Sequence, residues 1–302
     1  MERWLIIVNP AAGGGRAGRD GPRAFARQLA RALRADVAHT EGPGHATALA
    51  AGAADHIGLA VVGGDGTVSE VVNGMDRGRQ ALLVAGAGTG NGLARDLGLA
   101  TPRAVLAAAR RDRHRSFDLA RVTFRDRDGW HGRLMVSTAG VGFVAEATAR
   151  AHGGYKRVGP TGYALAAARQ VLHQRPFEAV VRLGASPART LTLTNAMINN
   201  TRHAGNFKAF PGTDPADGRL RVLLARAGAA AQLAHAASVL SRTYAFTTGS
   251  EHEARSATMT LANPQRLMVD GELWEDVSAV RFDVLPGALA RVVVGRVWSD
   301  AR

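Results

Sequence analysis

The chain has no cysteine in its 302 residues, which excludes disulfides and thiolate metal sites and fits a cytoplasmic protein. No apolar run reaches the roughly 18 residues that a membrane-spanning helix needs. The opening "MERWLIIVNP" is too short and too acidic for a secretory leader. Aromatic residues make up 5% of the chain and no DNA- or RNA-binding motif occurs, so no nucleic-acid partner is expected. Lysine is confined to Lys156 and Lys208, and the net charge of +13 (38 basic against 25 acidic residues) is therefore carried by arginine. That excess has two readings: an arginine-rich codon preference, or attraction to an anionic membrane surface.

What is present is an alternation. "MERWLIIV", "ADVAHT", "IGLAVVGG" and "QALLVAGAG" read as strands. Helical stretches follow at about Pro22–Ala35, in "GHATALAAGAA", in "TVSEVVNGM" and in "NGLARDLGL". In the first helix Phe25, Leu29, Ala32 and Leu33 share one stripe, and Arg23, Arg27, Arg31 and Arg34 another. This pattern predicts an α/β N-terminal domain with an open, mostly parallel sheet over residues 1–117. From 118 to 302 the texture is mainly β, with strand-like segments from "DLARVTF" to "ARVVVG" and helical stretches near Tyr163–His173 and Ala229–Leu240. A sandwich-like second domain is expected there. No feature of the sequence bears on oligomeric state.

Three loops of unusual composition leave the C-terminal ends of strands: Asn9–Gly15, Gly63–Thr67 and Gly86–Asn91. Ligands of parallel sheets sit at this edge, and glycine lets backbone N–H groups approach an anion closely. None of the loops is a Walker A loop, and Asn91 stands where a dinucleotide fingerprint would need its third glycine. Asp65 is a lone carboxylate among glycines in "GGDGT". Beside phosphate it suits a magnesium–nucleotide complex, with the carboxylate in the shell of Mg2+. The alternative is a capping or turn residue ahead of Thr67.

The motifs "NPAAGGG", "HTEGPGHA", "VVGGDGTVSEVVNGM", "GAGTGNGLARDLG", "FDLARV", "PGTDPADGRLRVLL" and "LMVDGELW" lie along nearly the whole chain. Together they resemble the diacylglycerol kinase catalytic-domain family of lipid kinases, in its soluble bacterial branch. GGDGT alone is shared with NAD kinases. The resemblance implies a two-domain kinase, with its active site in the cleft between the domains, that transfers the γ-phosphoryl group of ATP to the hydroxyl of diacylglycerol or a related lipid alcohol. Carried over by motif, the nucleotide site comprises Asn9, Pro10, Gly13, Thr40, Gly63, Gly64, Asp65, Gly66, Thr67 and Thr89. Glu272 in the late DGE element takes the place of the general base, with Asp65 as its catalytic partner. That agrees with phosphoryl-transfer chemistry, which asks for positioning, charge neutralisation and a carboxylate to accept the hydroxyl proton.

The resemblance also implies a structural Mg2+ at Asp214, Asp217 and the backbone carbonyl of Arg219, although "DPADG" is equally an Asp-Gly turn. Two positions depart from the family pattern: Gly92 stands where many relatives have aspartate, and Gly86 where many have proline. The partners expected are ATP, a lipid substrate and an anionic membrane surface, which places the protein peripherally on the inner membrane face. The arginine row of the first helix and the cluster Arg110, Arg111, Arg113 and Arg115 are its candidate contacts, or else solvated helix faces. A NAD kinase-like enzyme and a non-catalytic lipid-binding relative are the alternatives.

Overall fold

The computed structural model describes residues 3–13, 21–88, 90–111, 113–152, 174–205, 208–228 and 249–295. The expected helical stretches at Tyr163–His173 and Ala229–Leu240 lie outside them. The first part runs β1 (Arg3–Val8), α1 (Gly21–Leu33), β2 (Asp36–His39), α2 (His45–Ala51), β3 (His56–Gly63), α3 (Asp65–Gly74), β4 (Ala81–Gly86), α4 (Gly92–Asp96) and α5 (Pro102–Arg111). The apolar runs of β1, β3 and β4 are buried almost end to end, as strands covered on both faces must be. β1 pairs in parallel with β2 and β3, and β3 with β4. On α1 the buried positions are Pro22, Ala26 and Leu29; Ala32, expected on the apolar stripe, is exposed.

The second part is strand-rich: β5 (His114–Arg125), β6 (Trp130–Met135), β7 (Thr138–Gly142), α6 (Phe143–His152), β8 (Phe177–Leu183), β9 (Arg189–Asn199), β10 (Leu220–Arg226), β11 (Gly249–Ala254), β12 (Ser256–Val269) and β13 (Glu272–Val293). Its strand pairings are antiparallel, as in β12 with β13, β7 and β8. Among the described residues all strands belong to one hydrogen-bonded sheet, because β13 pairs in parallel with β4 through Arg291–Ala81 and Val292–Leu82.

Two buried clusters divide the interior. One spans the first part up to Leu119 and takes in Val136, Leu289 and Val292–Val294. The other begins at Ala120 and includes Val141, Ile198, Val222, Leu267 and Phe282. The chain thus leaves the first cluster after Leu119, touches it again at Val136 and comes back to it at Leu289. Among the described residues no helix is long and apolar enough to cross a membrane.

Candidate active site

The four parallel strands bring Asn9, Thr40, Gly63 and the Gly86–Gly88 turn to a single sheet edge. Thr40 donates its N–H to the Val8 carbonyl, and Asn9 donates its own to Val62. The Asn9 side chain then does two things. Its Oδ1 accepts the Ala11 N–H, shaping the turn that carries Pro10, and its Nδ2 donates to Thr67 Oγ1 at 3.0 Å. Gly13 has φ +91°, and a Cβ there would lie 2.8 Å from the Ala87 carbonyl oxygen. A Cβ on Gly88 would lie 2.6 Å from the Gly64 Cα. The loops therefore touch backbone to backbone, which side chains would prevent.

α3 starts at Asp65 with Gly64 extended ahead of it, and no side chain caps its first turn. Its first N–H groups face the loop edge, and nothing lies within 4 Å of where a Gly66 side chain would begin. Thr67 is buried under this turn, close against Gly63. The first turn of a helix presenting free N–H groups beside an open glycine is a ready cradle for an anion.

Asp65 itself faces the third loop. Its Oδ2 accepts the Gly92 N–H at 3.1 Å and its Oδ1 the Leu93 N–H at 3.3 Å, so it caps α4 from outside. Burial pushes its carboxyl above the ordinary range, opposed by those two N–H groups; the charge of Asp270 adds to the rise and Arg95 works against it. A carboxylate offers about four lone-pair sites, so capping α4 leaves room for a cation or its water. The alternative of a cap ahead of Thr67 is not what Asp65 does: no side chain caps α3, and Asp65 accepts the first N–H groups of α4.

A polar stripe at i, i+4 and i+8 of α3 ties the two parts of the molecule together. Asp65 meets α4. Ser69 donates its hydroxyl to Asp270 Oδ2 at 3.0 Å. Asn73 exchanges hydrogen bonds with the backbone of Leu134, donating to its carbonyl and accepting its N–H. Asp270 is buried, with φ +49°, and also accepts the N–H groups of Val136, Ser137 and Thr138. Burial raises its pKa, and these four donors oppose the rise.

Two residues beyond this hub stands Glu272, its side chain 38% exposed and 2.5 Å from Arg133. Burial raises its pKa, Arg133 lowers it, and the charges of Glu70 and Asp270 raise it further. A half-exposed carboxylate of raised basicity is suited to taking a proton from a hydroxyl. Ser69 reaches Asp270, and Arg133 reaches both Ser69 and Glu272, so a chain of polar contacts runs from α3 to the start of β13.

Thr89 lies outside the described residues. Asp214, Asp217 and Arg219 sit apart from this arrangement, in a turn held by Asp118. The Asp118 carboxylate accepts the N–H groups of Gly218 and Gly287, and its own N–H reaches the Pro215 carbonyl. Asp214 Oδ1 accepts the Ala216 N–H, and its Oδ2 lies 4.0 Å from Arg115. Asp217 accepts the Arg219 N–H and lies 3.2 Å from Arg221. Each oxygen thus has an N–H or a guanidinium beside it. No group of three or more His, Asp or Glu side chains gathers around a metal position among the described residues. The donor set expected for a cation, two carboxylates and the Arg219 carbonyl, thus lies in an Asp-Gly turn that is also held by its own hydrogen bonds.

Both departures from the family pattern have packing reasons. A Cβ on Gly92 would meet the Gly205 carbonyl oxygen at 2.8 Å, and one on Gly86 would meet Asn91 at 2.8 Å. The loop after β9 is pinned over α4 at this point: His203 Nδ1 lies 2.6 Å from Asp96 Oδ1, and the Asp96 side chain is fully buried. Sequence reasoning singled out neither this pair nor Ser69, Asn73, Arg133 and Asp270. The spacing of Asp65, Ser69 and Asn73 was the available signal.

Residues 3–122 match the family model of the diacylglycerol kinase catalytic domain. Among solved structures, a provisionally named diacylglycerol kinase from Bacillus anthracis is 22% identical, with 98% of each chain covered and a TM-score of 0.78. A diacylglycerol kinase structure from the same organism is 18% identical, again over 98% of each chain, with a TM-score of 0.71. At these identities the likeness is one of fold. No curated protein matches the chain. The likeness to the diacylglycerol kinase catalytic domain thus lies over residues 3–122, the part of the chain that carries the three glycine loops.

Proposed function

We propose that the protein is an ATP-dependent lipid kinase that phosphorylates the hydroxyl of diacylglycerol or a related lipid alcohol. The observation that carries this reading is the polar contact chain Asp270–Ser69–Arg133–Glu272, which sets the half-exposed Glu272 against the helix that begins at the glycine edge. The first turn of α3, with Gly64, Gly66 and Thr67, receives the phosphates of ATP, and the Asn9–Gly13 turn closes the edge beside it. Asp65 orients α4 against α3 and offers its remaining lone pairs to the cation that accompanies the nucleotide. That cation, Mg2+, neutralises phosphate charge when bound.

Glu272 takes the proton from the lipid hydroxyl as its oxygen bonds to the γ-phosphorus and the bond to the ADP oxygen breaks. Its raised pKa makes it a better proton acceptor than an ordinary glutamate, and its partial exposure leaves it open to an acceptor. The lipid is met at the inner membrane face, where exposed arginines of α1 and α5 face anionic headgroups.

The test is γ-labelled ATP with a total lipid extract, and NAD as a separate acceptor. Label in a lipid phosphate, lost in Glu272→Gln, is the expected result. Label in NAD instead would replace the reading with a NAD kinase-like one. ATP binding without transfer to any acceptor would replace it with a non-catalytic relative.

A further inference from the structure

Arg133 projects from β6 into the space between α3 and the start of β13. One NH2 group lies 2.5 Å from Glu272 Oε1 and the same nitrogen 3.5 Å from Ser69 Oγ. The guanidinium carbon stands 5.2 Å from the centroid of Trp274, the next residue on the same face of β13 as Glu272. Trp274 is in turn held against Phe124, with ring centroids 5.2 Å apart. The Arg133 side chain is 18% exposed, and its Nε is buried without an acceptor. A buried N–H with no acceptor costs stability, so the placement is maintained by what the rest of the guanidinium touches.

We infer that Arg133 is the positioning residue of Glu272, fixing from β6 where the carboxylate waits for the acceptor hydroxyl. The inference rests on the reading of Glu272 as the general base. A glutamate with more than a third of its side chain exposed samples several rotamers, whereas proton transfer needs it within hydrogen-bond reach of one hydroxyl. An arginine whose guanidinium lies over an aromatic ring has little freedom of its own, and its terminal nitrogen gives the carboxylate a fixed partner. Lysine would keep the charge and lose the guanidinium that touches Ser69, Trp274 and Glu272 together.

The charged groups that face Glu272 are Arg133 from β6, Glu70 from α3 and Asp270 from the turn before β13. Arg133 is the cation among them and opposes the other influences. Without it the carboxylate holds its proton to higher pH, and a protonated base cannot act.

The experiment compares wild type, Arg133→Gln, Arg133→Lys and Glu272→Gln on vesicles containing diacylglycerol, across pH. Alongside, the Glu272 carboxyl is titrated by 13C NMR, its resonance identified by its loss in Glu272→Gln. In Arg133→Gln the acid limb of kcat/KM and the NMR midpoint should both move up by about 1–3 pH units. Its plateau kcat should fall by at least tenfold, with ATP affinity unchanged. Arg133→Lys should return the midpoint towards wild type while leaving kcat low, because charge is restored and geometry is not; it also serves if the glutamine variant does not fold. An unmoved midpoint in the glutamine variant overturns the inference, as does wild-type kcat in the lysine variant. Wild-type turnover in Glu272→Gln would instead overturn the functional reading, and the NMR midpoint would still decide whether Arg133 governs Glu272.

Discussion

Ser69 on α3 donates its hydroxyl to the buried carboxylate of Asp270, 3.0 Å away and 201 positions later in the chain. Ser69→Ala removes one of four donors to that carboxylate and should cost about 1 kcal/mol. Asp270→Ala leaves three backbone N–H groups without their acceptor and should cost more than about 2 kcal/mol. Urea unfolding of the two variants checks the order. Equal costs would mean that the turn is held by other contacts.

Asp65→Asn keeps one acceptor oxygen for the α4 N–H groups and loses the negative charge. Turnover at saturating ATP should collapse, while stability falls by less than the roughly 1–2 kcal/mol expected for loss of the cap in Asp65→Ala. Steady-state kinetics beside thermal melting separates the two effects. Wild-type kinetics in Asp65→Asn would leave the residue as a cap alone.

Glu272→Gln preserves shape and hydrogen bonding but cannot accept a proton. Its kcat should fall by roughly 10²–10⁴ with ATP affinity unchanged, measured by initial rates and nucleotide titration. Loss of ATP binding with the chemistry retained would put Glu272 in a different role.

Gly92→Asp installs the residue many relatives carry, yet its Cβ would sit 2.8 Å from the Gly205 carbonyl oxygen. The loop that His203 and Asp96 pin over α4 must move, at a cost of about 1–3 kcal/mol. A melting temperature equal to wild type would show that the loop yields freely.

α1 packs against α5, so the exposed Arg23, Arg27 and Arg31 and the exposed Arg110 and Arg111 lie on neighbouring helices. Arg115 is half-buried near Asp214 and does not belong with them. Because the two helices are neighbours, charge reversal on either should weaken vesicle binding to a similar degree. Binding should rise with anionic lipid and fall steeply with salt, since each cation near such a surface contributes about 1 kcal/mol. Sedimentation with neutral and anionic vesicles decides it; equal binding to both would remove the electrostatic attraction.

Much of this was legible in the sequence where periodicity or turn chemistry is local. The strands and loops of the first part follow from apolar runs that end in glycine. α5 was not assigned from the sequence, although Pro102 opens it and the Thr101 hydroxyl accepts the Ala104 N–H. Asn263–Pro264 and Pro286–Gly287 read as breaks, yet β12 and β13 run through them with shifts of register, because irregular pairing accommodates an extra residue without ending a strand. The partners of the α3 stripe were out of reach in a different way. Spacing says that Asp65, Ser69 and Asn73 share a face, but nothing local says that Asp270 and Leu134 will meet it. Glu272 was found through its motif; Arg133 has no motif and becomes visible through what it touches.

The return of β13 to the side of β4 has a bearing on how the protein is made. During synthesis the glycine-loop segment leaves the ribosome long before residues 289–294, which complete its buried cluster. Until then β4 is an open sheet edge, and open edges invite pairing with other chains. A fragment ending near Phe117 would carry that edge permanently and should aggregate. Pairing of Arg291 and Val292 with Ala81 and Leu82 closes that edge, so a segment translated early is completed by one translated much later.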